Sequence, residues 1–407
     1  MNVVPSMDEY AGIQEMFASR AEGRLPLVAR AARLLAGAAI PPRQWLYGRA
    51  LVRQYISLLV APGGVGKTAW CTAVACSLAL GRGLIGDWVH GPVNVMLCSL
   101  EDPEDELDRR LAAVMLHHRV RPEELDGRLH VVIGRERQVL MGVIDTDGYR
   151  IAHPDKEAMI DEIRRLNIGV VMVDPFVNSH ALDENSNPHV NAVARAWAEI
   201  AHETGCAILL VHHTRKGAEA GDIEGSRGAG ALVGAARAAY TLTAMTKEEA
   251  EGFDIPPADR RQYVRLDDGK ANLAPAGDSA WWYHLASVSL GNGDAAYPQG
   301  DNVQAIEVWK PESLWASFSE GALGLALDQI AAGPSPGILY APTQRGRSSN
   351  RWCGSALVEV LGVTDEQAKQ MVATWLKNGV LVQTSYEDPT QRKPRVGVTV
   401  DRSKGVR

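Results

Sequence analysis

Cysteine is scarce: 407 residues hold five, and no two stand at a metal-ligand or redox-pair spacing. Four of the five sit in apolar runs, where a thiol is read as a small buried side chain, a usage that suits a reducing cytoplasm. Long hydrophobic runs are missing too. The longest, around "AWCTAVACSLAL", falls short of the roughly 20 residues that a membrane helix needs. The first 40 residues mix Asp, Glu and Arg through their apolar positions, so no signal peptide is expected there, and no internal repeat is evident. The expectation is a soluble, cytoplasmic chain with no membrane contact. Its composition, 46% apolar and 22% charged, is that of ordinary globular proteins, and its length calls for two or more domains.

Three regions are expected. Residues 1–40 have little strand signal and read as a short helical extension. Residues 41–310 alternate β-rich apolar runs with helical stretches. The runs "YISLLVAP", "VNVMLCSLE", "HVVIG", "IGVVMVDPF" and "CAILLVHHT" are continuously apolar, as parallel strands buried on both faces are. Such alternation predicts an α/β fold with a central, mostly parallel sheet and right-handed crossovers. Four later runs, "AAYTLTAM", "RQYVRLDD", "SAWWYHLASVSL" and "NVQAIEVW", lie close together and are expected to extend the sheet in antiparallel fashion. Residues 311–407 read as helices followed by two β-rich arms, a winged-helix-like α+β domain.

One glycine is also lacking where it matters. "LLVAPGGVGKTAW" fits the phosphate-loop pattern G-x-x-x-x-G-K-[ST] except that Ala61 occupies the first position. That position lies at the strand exit, furthest from the phosphates, where small size suffices. Gly63, Gly64, Val65 and Gly66 turn backbone N–H groups toward phosphate oxygens at a helix start, continued by Ala69. Lys67 reaches the outer phosphates, and the Thr68 hydroxyl is placed to hold Mg²⁺. Asp174 ends the strand "IGVVMVD" and is the second expected Mg²⁺ anchor; a cap for the next turn is its plainer role. No glutamate follows it, since Pro175 is next. The catalytic base is therefore sought at the end of the neighbouring strand, where Glu101 has the reach to orient the attacking water; in the RecA branch of P-loop enzymes the base stands there. Asp102 is the rival, and a helix cap for "PEDELDRRL" the bland alternative. In "LLVHHTRKG", alternation puts one histidine on the core side and one toward the site, and His213 is the expected reporter on the γ-phosphate. The Gly-rich segment Gly217–Gly230, with Arg215 and Lys216 just before it and Arg227 within it, is a basic loop suited to gripping a nucleic-acid backbone, or else a solvated surface loop. Arg237, in the apolar "LVGAARAAY", needs an anionic partner if buried and suits an arginine finger acting on a neighbouring subunit. Trp45 and Tyr47, just before the first strand, are candidates to stack on the base or to pack in the core.

The ordered set "APGGVGKT", "LEDPEDELDRRL", "VVMVDPF", "TGCAILLVHHTRKG", "SRGAGALVGAARAAYTLTAMTKEEAEGF" and "DDGKANLAP" resembles the hexameric RepA-type replicative helicases of plasmids, RecA-like ATPases also grouped as AAA proteins. The similarity covers roughly residues 40–310. It implies a RecA-like P-loop NTPase core that binds ATP with Mg²⁺ between the subunits of a ring of six, with single-stranded DNA in the channel. It also implies that Arg237 is a finger acting in trans, that Lys270 of the "KAN" motif lies near the intersubunit site, and that Arg110 has a role on the helix after "EDP".

Charge is divided unequally. From Ala341 to Arg407 there are 11 Lys+Arg against 6 Asp+Glu, and the rest of the chain carries 31 against 43. A basic tail on an acidic body suits an anionic partner. In that tail the exposed candidates for DNA contact are Gln367, Lys369 and Gln370 on the helix "TDEQAKQMVATWLKNG", and Arg392, Lys393 and Arg395 on the wing, with Arg345, Arg347 and Arg351 adding charge. Met371, Val372 and Leu376 are read as core. Three functions suit these motifs: a DNA-acting motor, a DNA-binding regulator or adaptor that uses ATP as an assembly switch, and a small-molecule kinase. The last is disfavoured because nothing after Asp174 offers an acceptor-binding lid.

Overall fold

The computed structural model describes residues 29, 32, 37–145, 148–213, 229–273, 280–311, 315, 317–344 and 351–404. Its strands are β1 (Trp45–Tyr47), β2 (Leu51–Val52), β3 (Ile56–Ala61), β4 (Asn94–Ser99), β5 (Leu129–Ile133), β6 (Gly142–Asp145), β7 (Gly148–Ile151), β8 (Ile168–Asp174), β9 (Ala207–His213), β10 (Ala238–Ala244), β11 (Tyr263–Ala271), β12 (Trp281–Ser289), β13 (Asn302–Val308), β14 (Leu381–Asp388) and β15 (Lys393–Val400). The helices are α1 (Lys67–Leu80), α2 (Glu104–His118), α3 (His153–Arg165), α4 (Asn187–Thr204), α5 (Ala229–Ala235), α6 (Lys247–Gly252), α7 (Glu320–Ala332), α8 (Cys353–Leu361) and α9 (Asp365–Lys377).

Nine strands form one sheet in the order β13-β12-β11-β10-β3-β9-β8-β4-β5. From β10 to β5 every neighbouring pair is parallel. Alternate side chains along these strands enter two separate cores. Leu59, Leu97, Met172 and Leu209 pack with α1 on one face. Leu58, Met96, Val171 and Leu210 pack with α4 on the other. Burial on both faces is why β3, β8 and most of β9 read as unbroken apolar runs. The three strands β11 to β13 then add on in antiparallel fashion.

One expectation needs correcting. "AAYTLTAM" is not part of the antiparallel extension, because β10 pairs parallel with β3. A parallel neighbour needs a crossover, and α5 lies within that connection. The glycine-rich sequence hid this helix, and Gly230, expected in the loop, belongs to it.

Backbone contacts divide the chain into two units, Met1–Arg43 and Gln44–Arg407. In the first, the described regular structure is a 3₁₀ turn at Gly37–Ala39. Within the second, the C-terminal elements have a core of their own, built from Leu323, Leu327, Ile330, Leu357, Met371 and Trp375. Thr364 starts α9 with a capping box: its Oγ1 accepts from the Gln367 N–H at 3.2 Å, and Gln367 Oε1 accepts from the Thr364 N–H at 2.9 Å. The hairpin β14–β15 keeps an unbroken register from Leu381↔Val400 to Asp388↔Lys393. Helix α9 lies against α6, where Gln370 occupies the space beside Gly252 that a side chain would fill. No described helix is long and apolar enough to cross a membrane. All five cysteines are buried and free.

Candidate active site

The loop between β3 and α1 follows from its residue types. Gly64 (φ 77°) and Gly66 (φ 86°) hold left-handed conformations that side chains disfavour. A Cβ on Gly66 would also come within 2.7 Å of the Leu285 side chain on β12. Gly66 caps α1 without any side-chain acceptor, and the first turn carries no acidic residue. The leading N–H groups of α1 and its dipole are thus available to an anion. Gly63 has an unremarkable conformation with open space around it. Ala61 is the buried last residue of β3, so the atypical first position of the motif belongs to the strand. Val65 and Ala69 turn their side chains into the core and offer only backbone to a ligand.

Lys67 is buried and folds back over the loop, its Nζ donating to Pro62 O at 2.7 Å and Ala61 O at 3.3 Å. Burial lowers its pKa, against the opposing charge of Asp174. The Thr68 hydroxyl donates to Asp174 Oδ2 at 2.9 Å, joining the start of α1 to the end of β8. Burial raises the Asp174 pKa, while the Thr68 hydrogen bond and the Lys67 charge pull it down. A hydroxyl beside one carboxylate fits Mg²⁺, which keeps most of its waters, rather than a metal needing several protein ligands. Among the described residues no cluster of three or more His, Cys, Asp or Glu suits a metal.

Glu101 stands two residues past the end of β4, which is itself tied to β8 by Leu100 N donating to Asp174 O at 2.9 Å. It is exposed, and none of the described residues pairs with its carboxylate; Arg135 Nε donates to its backbone carbonyl at 2.8 Å. Its charge acts on both Lys67 and His213. The rival Asp102 is engaged by Arg110 at 3.1 Å, and Arg110 also holds Glu106 at 3.1 Å. That pairing gives Arg110 a role its sequence position had left open, and it leaves Glu101 the less encumbered of the two carboxylates. Arg135 follows β5 in no recognisable motif, and no sequence signal could have found it.

The histidine pair divides as strand alternation requires. His213 ends β9 opposite Ala61 and is half-buried. Burial and Lys67 lower its pKa, while Asp174 and Glu101 raise it. His212 is buried on the other face, 6.2 Å edge-on from the Phe176 ring, and burial drives its pKa down to about 4.

Arg237 and Lys270 do not join this group. Arg237 is exposed just before β10, its N–H bonded to Ile56 O at the first residue of β3, whereas the phosphate loop follows the last. Its guanidinium lies 5.9 Å from the centre of the Tyr55 ring. Lys270 Nζ donates to Val233 O at 2.5 Å and Gly234 O at 3.4 Å of α5. Tyr47 is core, edge-on to Trp70 at 6.3 Å. Trp45 is on β1, whose hairpin meets the start of β3 through Ser57 Oγ donating to Ala50 O at 2.6 Å. Neither residue serves the loop at the other end of that strand.

Of the expected DNA contacts, Arg215, Lys216 and Arg227 lie outside the described residues, as do Arg345 and Arg347. Arg392 and Lys393 are exposed at the turn of the hairpin. Arg395 and Arg351 both pair with the buried Asp388, at 3.3 Å and 3.1 Å, so their charge holds the hairpin together. Lys369 pairs with Glu366 at 2.9 Å, and Gln370 faces α6; that face of α9 is engaged by the chain itself.

A glycine loop at a helix start, a buried lysine, a hydroxyl–carboxylate pair and a glutamate just past the end of a neighbouring strand form a phosphate-loop site at one end of a mostly parallel sheet. Residues 21–219 match the family model of the AAA domain. Among solved structures, the KaiC-like protein of the hyperthermophilic archaeon Pyrococcus horikoshii OT3 is similar, with 14% identity over 64% of this chain and 94% of that one, at a TM-score of 0.41.

Proposed function

We propose that the chain is a Mg²⁺-dependent ATPase that assembles into a ring, of six subunits as in RepA-type helicases, and acts as a motor on single-stranded DNA. The observation that carries this reading is the separation of Arg237 from the loop of its own subunit. Its N–H bonds to the first residue of β3 while the phosphate loop follows the last. An arginine so placed suits a finger that serves a nucleotide on a neighbour, which supports hydrolysis by an assembly. Within one subunit, Glu101 accepts a proton from the attacking water, and Lys67 and the α1 N–H groups stabilise charge on the phosphate oxygens. When bound, Mg²⁺ neutralises phosphate charge. His213, between Lys67, Asp174 and Glu101, reports whether the outer phosphate is present.

The test is the ATPase rate with and without single-stranded DNA over a range of protein concentrations. A rate that rises cooperatively with concentration and is stimulated by DNA is expected. A low rate indifferent to both overturns the motor and leaves ATP as an assembly switch for a DNA-binding regulator.

A further inference from the structure

A cleft of about 430 Å³, with no phosphate-loop residue in its lining, opens between β1, the loop after α1, and strands β10 to β12. Its walls are Trp45, Trp88, Trp281 and Tyr240, with the carboxylates of Asp87 and Asp268 between them. Trp88 is 72% exposed and Trp281 38%, so two indole rings face water beside a concavity. Indole rings that converge on a concavity with a few polar groups suit a ligand site.

The cleft is built rather than incidental. Gly48 N donates to Trp88 O at 2.7 Å and His90 N to Leu46 O at 3.1 Å, and Tyr47 bridges Val89, so the Trp88 loop is stitched to β1 on both sides. Asp87 fills the space that a Cβ on Gly48 would take, and its Oδ1 accepts from the Trp88 N–H at 2.8 Å. Tyr240 meets Trp281 edge-on at 6.3 Å, fixing the opposite wall. A rigid aromatic wall loses little entropy when a flat ring slides against it.

We propose that this cleft binds a nucleobase independently of the phosphate loop. Indole faces stack on any base, and carboxylates accept the ring and exocyclic N–H groups that bases present. Arg49 is exposed at the rim and adds positive charge beside the cleft. A simple cation fits less well, because Arg49 already brings positive charge to the cleft. The base can come from a free nucleotide or from a single strand.

Equilibrium dialysis distinguishes the sources. The full-length Lys67→Ala chain, with its phosphate loop disabled, is tested with adenosine and with an oligodeoxyadenylate of about 12 nucleotides. Trp88→Ala and Trp281→Ala are added singly to that background, with circular dichroism to verify folding. Binding of at least one probe is expected, weakened about tenfold or more by either tryptophan change. Adenosine binding identifies a nucleotide site, and binding of the oligomer alone a nucleic-acid site. Affinity unchanged in both tryptophan variants, or no binding of either probe, overturns the proposal. The outcome is separate from that of the ATPase assay, since an enzyme indifferent to DNA can still hold a base here.

Discussion

At the scale of single residues, the decision between Glu101 and Asp102 turns on who holds each carboxylate. Arg110 anchors Asp102, while Glu101 projects its charge onto Lys67 and His213. Glu101→Gln keeps the shape and removes the base. ATP binding is therefore expected to persist while turnover falls by at least about 100-fold, the lower bound for general-base catalysis. Nucleotide binding by filtration beside steady-state phosphate release measures both, and wild-type turnover in the variant removes Glu101 from the mechanism. The two carboxylates are adjacent in sequence and chemically alike, and the arginine that separates them comes from two turns into α2. Sequence could nominate the pair, but only packing distinguishes its members.

At the scale of elements, strand alternation sorts the histidines of β9, and it carries a pH consequence. An unfolded chain takes up a proton on His212 near the ordinary value of 6.5, but the folded chain does so only at about 4, because burial opposes the charge. Between those values the unfolded state binds more protons. Stability contributed by the neutral ring is therefore complete above pH 6.5 and is lost as pH falls toward 4, by roughly 3 kcal/mol in total. His212→Phe, beside the Phe176 ring, should flatten that part of the profile in thermal melts at pH 7 and pH 5. An equal drop in both proteins would show that His212 does not titrate this way. The parallel strands were legible in sequence because burial on both faces leaves an unbroken apolar run. The direction of β10 was not, since it depends on a short crossover helix of alanine and glycine whose sequence resembles loop.

The whole molecule decides what no single subunit can show. Arg237 begins at the opposite end of β3 from Lys67, so the complete site is expected to need two copies of the chain. Arg237→Ala and Lys67→Ala should each be inactive alone; fingers of this kind are worth about 10³- to 10⁵-fold in rate. Mixed in equal amounts they should recover part of the activity, because a subunit with an intact loop can then meet a neighbour with an intact arginine. No recovery, with mixed assembly verified by cross-linking, would place the arginine outside the reaction. The sequence motifs supplied both residues but not their separation, which appears only once β10 is laid beside β3.

The contact of Gly252 with Gln370 joins the C-terminal helices to the sheet at one tight point. Helix α6 hangs from the far end of β10, and α9 rests flush on it because glycine leaves no side chain in the way. Movement of α9 would bear first on α6 and, through it, on β10, the strand that Arg237 precedes.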